Sequence, residues 1–292
     1  MMTTPARLFV ILAREADKAV ILRRGPTDWF QLILWHTDND TFEYGQWFHG
    51  RIYERRCDIS PDGSLFIYFA QKLNGHIKPD YTYAWTAISK PPYFTALALW
   101  PKGDCWCGGG LFEKKKTVWL NHSPFQVAPH PRHLPKGLQI IPNQFAHGED
   151  APIYNRRLTR DDWVNKQLHN KFFNSWYGRY EFDKPDIWQK FNTKRTASLV
   201  MHIPGVDFYR SGGNPYLDQY SILFSQSEIA VPIEGANWAD WDRHGRLVFA
   251  KSGQIYSAEI DATEGTYRPQ LLHDFNALKP ERVVAPSWAQ RW

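Results

Sequence analysis

"CDISPDGSLFIYFA", residues 57–70, fuses a tight turn to an apolar strand. Asp62-Gly63 closes narrow turns because glycine takes positive φ without steric cost, and Ser60-Pro61 presets the approach. The run Leu65 to Ala70 that follows has the aromatic and β-branched character of a buried strand. The frame returns at "DWDRHGRLVFA", residues 240–250, with Gly63 matching Gly245 and Leu65 matching Leu247. A repeated turn-strand unit predicts a repeat architecture, and units of about 45 residues fit between the two copies.

Short β-type runs fill most of the remaining chain. "RLFVILA" (7–13), "KAVILRR" (18–24), "WFQLILWHT" (29–37) and "TFEYGQWF" (41–48) are separated by short polar turns. Later runs include "YTYAWTAIS" (81–89), "KTVWLNH" (116–122), "ASLVMHI" (197–203) and "QIYSAEI" (254–260). Many short strands at regular spacing point to a sandwich, barrel or propeller. The frame favours a propeller of five blades starting near residues 7, 55, 104, 186 and 237, or six if the stretch 124–180 hides one. That stretch is rich in Pro and His and is expected to be an insertion of loop and helix within a single domain, 1–292. Its helix is expected over "LTRDDWVNKQLHNKFF" (158–173), where Thr159 and the following acids read as a helix start. "APSWAQRW" (285–292) repeats the Trp-Ala pair of "ANWADW" (236–241), so the ring is expected to close with N- and C-terminal strands, which would bury Trp288 and remove exposed edges.

The "DISPDG-S-L" stretch resembles the strand-turn-strand signature of TolB-like β-propellers, and the second copy departs from it with Arg243-His244 in place of Pro-Asp. The segment from Phe42 to Ala70 is similar to a set of bacterial proteins to which no activity is attached. The resemblance implies propeller architecture and leaves function open, since one fold hosts many functions.

Composition narrows the classes. Aromatic residues make up 16% of the 292, with 14 Trp, enough large apolar surface for a core. The net charge of +5 comes from 35 basic and 30 acidic residues, which permits an anionic partner without requiring one. Three cysteines, Cys57, Cys105 and Cys107, argue against a disulfide framework and for a reducing compartment. No stretch approaches the roughly 18 apolar residues of a spanning helix. A cytoplasmic protein away from the membrane is expected.

Candidate chemistry is sparse. Asp58, Asp186 and Asp240 each begin an expected inner strand, so carboxylates on these strands are placed to converge in a channel, as glycoside hydrolysis requires. The plainer reading is that Asp caps the turn. "CWC" and "HPRH" lack the spacing of a zinc site, and no phosphate loop or nucleophile elbow occurs. No metal and no cofactor are expected. Arg51, Tyr53, Arg55 and Arg56 alternate cationic and aromatic character just before the first motif. Arg is favoured at interface anchors, so these four are the expected partner-binding residues.

The leading expectation is therefore a non-catalytic binding or scaffold module that presents one propeller face to another protein within a bacterial multi-component system. The alternatives are a hydrolase of a glycan-like substrate using Asp58, Asp186 and Asp240, and a nucleic-acid or anion binder using the Arg-rich turns and Lys114 to Lys116.

Overall fold

The two copies of the Asp-x4-Gly-x-Leu frame fold as the same kind of hairpin. In the computed structural model, which describes residues 4–25, 28–73, 80–143, 149–176, 178–207, 215–226 and 230–292, Gly63 N–H donates to Ser60 O and Gly245 N–H to Asp242 O, at 2.8 and 2.9 Å. Both glycines have positive φ, 70° and 77°. Side-chain capping comes two residues after the aspartates expected to supply it. Ser60 Oγ accepts from Leu65 N–H, and Asp242 Oδ1 accepts from the N–H groups of His244 and Arg246.

Strands make up five sheets, each drawn from a contiguous stretch of sequence. The first contains β1 (Arg7–Leu12), β2 (Lys18–Arg24), β3 (Trp29–His36) and β4 (Thr41–His49). The second contains β5 (Arg51–Ile52), β6 (Asp58–Ile59), β7 (Phe66–Gln71), β8 (Ala84–Ser89) and β9 (Ala98–Pro101). The third is β10 (Gly110–Lys114), β11 (Thr117–Leu120) and β12 (Gln139–Pro142), the last running parallel to β11. After helix α1 (Ala151–Arg160), the fourth sheet holds β13 (Val164–Gln167), β14 (Phe172–Trp176), β15 (Arg179–Phe191), β16 (Ala197–Asp207), β17 (Gln219–Phe224) and β18 (Ala230–Pro232). The fifth is β19 (Ala236–Trp241), β20 (Leu247–Lys251), β21 (Gln254–Asp261) and β22 (Thr266–Asp274). The architecture is thus mostly β, with α1 the one α-helix among the described residues. The sheets begin at residues 7, 51, 110, 164 and 236, against expected unit starts of 7, 55, 104, 186 and 237. No helix among the described residues is long and apolar enough to cross a membrane.

Contacts divide the chain into two bodies. The larger, Val10–Arg157 with Lys279–Trp292, is centred on Ile67, Ile88, Ala98, Trp100, Phe112, Val118 and Leu120, all fully buried. These come from β7 to β11, so the second and third sheets share one apolar layer. Helix α1 adds Ile153 to Leu111 and Trp119. The smaller body, Met1–Phe9 with Leu158–Leu278, ties its strands with polar pairs. Lys190 Nζ on β15 donates to Asp240 Oδ1 on β19 at 2.6 Å, and Trp241 Nε1 donates to Lys190 O. Asn237 Nδ2 reaches Leu8 O.

Two expectations are corrected here. The helix lies seven residues before the expected position, over Ala151–Arg160 rather than 158–173. The acids read as a helix start end it instead: Asp162 takes the left-handed conformation at φ 66°, and Asp161 and Trp163 N–H both return to Leu158 O. The true start is Asp150, whose carbonyl receives Ile153 and Tyr154 N–H, with Pro152 in the first turn. Nor do residues 285–292 form a strand. Ser287–Ala289 is a single 3-10 turn after Pro286; it turns Ala289 inward and leaves Trp288 half exposed. Proline has no N–H to give to a ladder. The segment is held by Lys90 Nζ on the carbonyls of Trp288 and Arg291, and by Trp292 Nε1 on Leu134 O.

The shared hairpin makes a direct test. Gly63→Ala and Gly245→Ala each force a side chain into left-handed backbone, at about 1–2 kcal/mol. Denaturant midpoints should fall for both, and unchanged midpoints would refute the turn geometry.

Candidate binding surface

The sequence "ERRC" (54–57) folds as a 3-10 turn, and this decides where its arginines go. Arg56 is fully buried and Arg55 nearly so. The Arg56 guanidinium is bonded through all three of its nitrogens. Nη1 donates to the carbonyls of Cys105 and Cys107 at 2.7 and 2.6 Å, Nε to Asp150 Oδ1 at 2.6 Å, and Nη2 to Glu149 Oε2 at 2.8 Å. It also lies over the rings of Tyr53 and Phe69. Arg55 packs over Tyr154 of α1, whose Arg157 donates through Nη1 to Cys57 O. The surface expected at Arg55 and Arg56 is therefore internal structure. A charge buried this deeply must be paired, and the acids Glu149 and Asp150 at the start of α1 supply the pairing.

Arg51 and Tyr53 remain half exposed. Arg51 lies over the Tyr53 ring, and Tyr53 Oη donates to Gln71 Oε1. Burial, with a hydrogen bond to Cys105, pushes the Tyr53 phenol well above its ordinary range. Tyr53 thus abuts the 104–108 loop that Arg56 holds from below. That loop needs its glycines: a Cβ on Gly109, at φ 81°, would meet Arg56 O at 2.1 Å.

The same loop carries Trp106, 58% exposed, and the neighbouring 3-10 turn Pro124–Gln126 carries Phe125, 97% exposed. A polar clamp fixes both. Lys102 Nζ donates to Asp104 Oδ1 (2.7 Å) and Gln126 Oε1 (2.9 Å), Gln126 Nε2 donates to Asp104 Oδ2 (3.0 Å), and Trp106 N–H donates to Asp104 Oδ1 (2.9 Å). Burial opposes ionisation of Asp104, but the bonds from Lys102 and Gln126 outweigh it and hold the carboxyl below its usual range. Behind the clamp, Gly109 N–H donates to Thr86 Oγ1, and His122 bridges Thr86 Oγ1 and Gln126 O. The carbonyl can only accept, so Nδ1 carries the proton and Nε2 accepts from the threonine hydroxyl. Burial drives the His122 pKa down to about 4, against the hydrogen bond to Gln126 O.

The three aspartates do other work. Asp58 Oδ2 accepts from Phe112 N–H, Asp186 Oδ1 from His169 N–H and Nδ1, and Asp240 Oδ1 from Trp241 N–H and Lys190. Asp58 and Asp186 tie separate segments through a backbone N–H, and Asp240 ties β19 to β15 through Lys190. Burial raises the Asp240 pKa, against the charge of Lys190. No cluster of metal-ligating side chains occurs among the described residues. Of the basic runs, Arg23 is buried beside Trp47, and Lys115 pairs with Asp62 at 2.8 Å. Of the expected site residues, then, Arg51 and Tyr53 stay at the surface, joined by Trp106 and Phe125, which the sequence reading left out. Their signal was a large aromatic in a short polar loop, in "GDCWCGGG" and "HSPFQ".

No family model and no curated protein matches the chain. Among solved structures it is similar to a prolyl endopeptidase (TM-score 0.35, 10% identity, 91% of this chain and 42% of that one). It is also similar to a mutant of the GH43 protein BlXynB from Bacillus licheniformis (TM-score 0.35, 8% identity, 93% and 56%). A third likeness is to the β-propeller domain of the Trilobed protease from Pyrococcus furiosus (TM-score 0.31, 9% identity, 91% and 84%). The chain spans about half the length of the first two. No residue role is taken from these likenesses.

Two outcomes test this construction. Arg56→Met should cost roughly 3–5 kcal/mol, the range for breaking a buried ion pair; a loss under about 1 kcal/mol in chemical unfolding would contradict the structural role of Arg56. For His122 the unfolded chain binds a proton near pH 6.5 and the folded one only near 4, so its contribution is complete above pH 6.5 and falls as pH drops towards 4. His122→Gln should flatten that part of the stability profile. An unaltered slope would place the titration elsewhere.

Proposed function

We propose that this protein is a non-catalytic binding module, a propeller of five blades that docks a partner protein through the surface around Trp106, Phe125, Tyr53 and Arg51. The carrying observation is the exposure of Trp106 and Phe125 on loops held by the Lys102–Asp104–Gln126 clamp. Large aromatics are normally buried, and their exposure on rigid loops marks recognition surfaces. Trp and Tyr are also enriched among residues that dominate interface energy. Support for the propeller is the order of five sheets, each from consecutive sequence, with the same hairpin opening the second and the fifth.

A hydrolase of a glycan-like substrate using Asp58, Asp186 and Asp240 is the second reading; each of the three accepts from a backbone N–H, a contact that a turn or strand tie also makes.

The test is affinity capture from the native host, with the bound protein identified by mass spectrometry. Trp106→Ala with Phe125→Ala should remove that protein while the melting temperature stays within a few degrees, because both side chains are exposed. Capture undiminished by the double change would place the interface elsewhere.

A further inference from the structure

We infer that the Trp106 surface recognises a cationic side chain, an arginine or lysine on an extended segment of the partner; this rests on the binding reading above. The arrangement of charge carries it. Lys102 and Arg56 have side chains only 2% and 1% exposed, while the carboxylates they hold, Asp104 and Glu149, are 43% and 46% exposed. Each pair therefore points its negative end outwards.

Glu149 gives its Oε2 to Arg56 Nη2, and Oε1 has no partner among the described residues. The same guanidinium holds Cys105 O through Nη1, so the Glu149 carboxylate is joined through one guanidinium to the peptide that leads into Trp106. The Tyr53 ring already carries Arg51 and Arg56. Trp106 makes no ring or cation contact among the described residues. An indole face and a carboxylate oxygen without partners among the described residues match the needs of a cation: the ring quadrupole attracts the charge, and the carboxylate accepts its N–H. Phe125, on the turn that the same clamp holds, offers exposed apolar surface to the aliphatic stem, which arginine and lysine both lay along such surface. An anionic occupant would meet Asp104 and Glu149 head on. The protein as a whole is positively charged, +5, so attraction of a cation has to come from this local arrangement rather than from net charge.

The probe is a fluorescein-labelled peptide of nine residues with arginine alternating with glycine, followed by fluorescence polarisation on the full chain. A peptide with glutamate in place of arginine is the counterpart. The arginine peptide should bind, and the glutamate peptide should not. Trp106→Ala and Glu149→Gln should each weaken binding by about tenfold. Glu264→Gln, an exposed acid on the fifth sheet's outer hairpin, should leave it unchanged. Glu149→Gln keeps the Asp150 contact to Arg56, and Trp106→Ala changes an exposed side chain, so a folded protein is expected in both cases. Absence of arginine-peptide binding to the unaltered protein, or equal binding by all variants, overturns the inference. If the captured partner is lost on changing Trp106 and Phe125 while the arginine peptide never binds, the cationic occupant falls and the binding reading stands. If neither responds to Trp106, both fall.

Discussion

A guanidinium placed in an apolar interior is tolerated only if its donors all find acceptors, because desolvating an unpaired charge costs several kcal/mol. Arg56 approaches that condition with two backbone carbonyls and two carboxylates, bonded through all three of its nitrogens. Much of the larger body follows from this requirement. The carbonyls belong to Cys105 and Cys107, so the loop between β9 and β10 has to curl inwards, with Cys107, Gly108 and Gly109 at positive φ. The carboxylates belong to Glu149 and Asp150, so α1 has to start beside that loop. One side chain thereby sets the course of two segments that are far apart in sequence.

A second layer of polar contacts carries that order outwards. The chain from Gly109 N–H through Thr86 and His122 to Gln126 runs in one direction, each group donating to the next. It joins the Lys102–Asp104–Gln126 clamp, which in turn holds Trp106 N–H. Fully satisfied buried networks favour a single arrangement, because any partial one leaves a polar atom unpaired. The outcome is two exposed aromatic residues on loops with little freedom to relax. An aromatic surface fixed before binding loses less conformational entropy on docking than a mobile one.

The repeat was legible because its turn is local. Asp62-Gly63 and His244-Gly245 close the same hairpin whatever surrounds them, and the strand periods read correctly for the same reason. The helix was misplaced because Asp161 and Asp162 carry chemistry that suits either end of a helix, while the signal that decides, Asp150 followed by Pro152, stood in a stretch read as loop. The arginines were misread for a different reason. Arg55 and Arg56 look like surface residues until Glu149 and Asp150 arrive from more than ninety positions away, and no local pattern announces that meeting. Arg51 lies over the nearby Tyr53 ring, and both residues stay partly exposed. Trp106 is not separable by sequence from the other tryptophans, since nothing in "CWC" tells that the loop turns its cysteine carbonyls inwards and its indole outwards.

The central claim is that Arg56 holds the recognition loop in place, and amide hydrogen exchange of that loop measures it directly. In the unaltered protein, the Trp106 and Gly108 amides, bonded to Asp104 Oδ1 and Asn121 O, should exchange slowly. In Arg56→Lys, whose ammonium cannot reach all four acceptors, both should exchange much faster while the amides of β7 and β8 keep their protection. Equal exchange of Trp106 and Gly108 in the two proteins would show that the loop stands without Arg56 and would contradict the account.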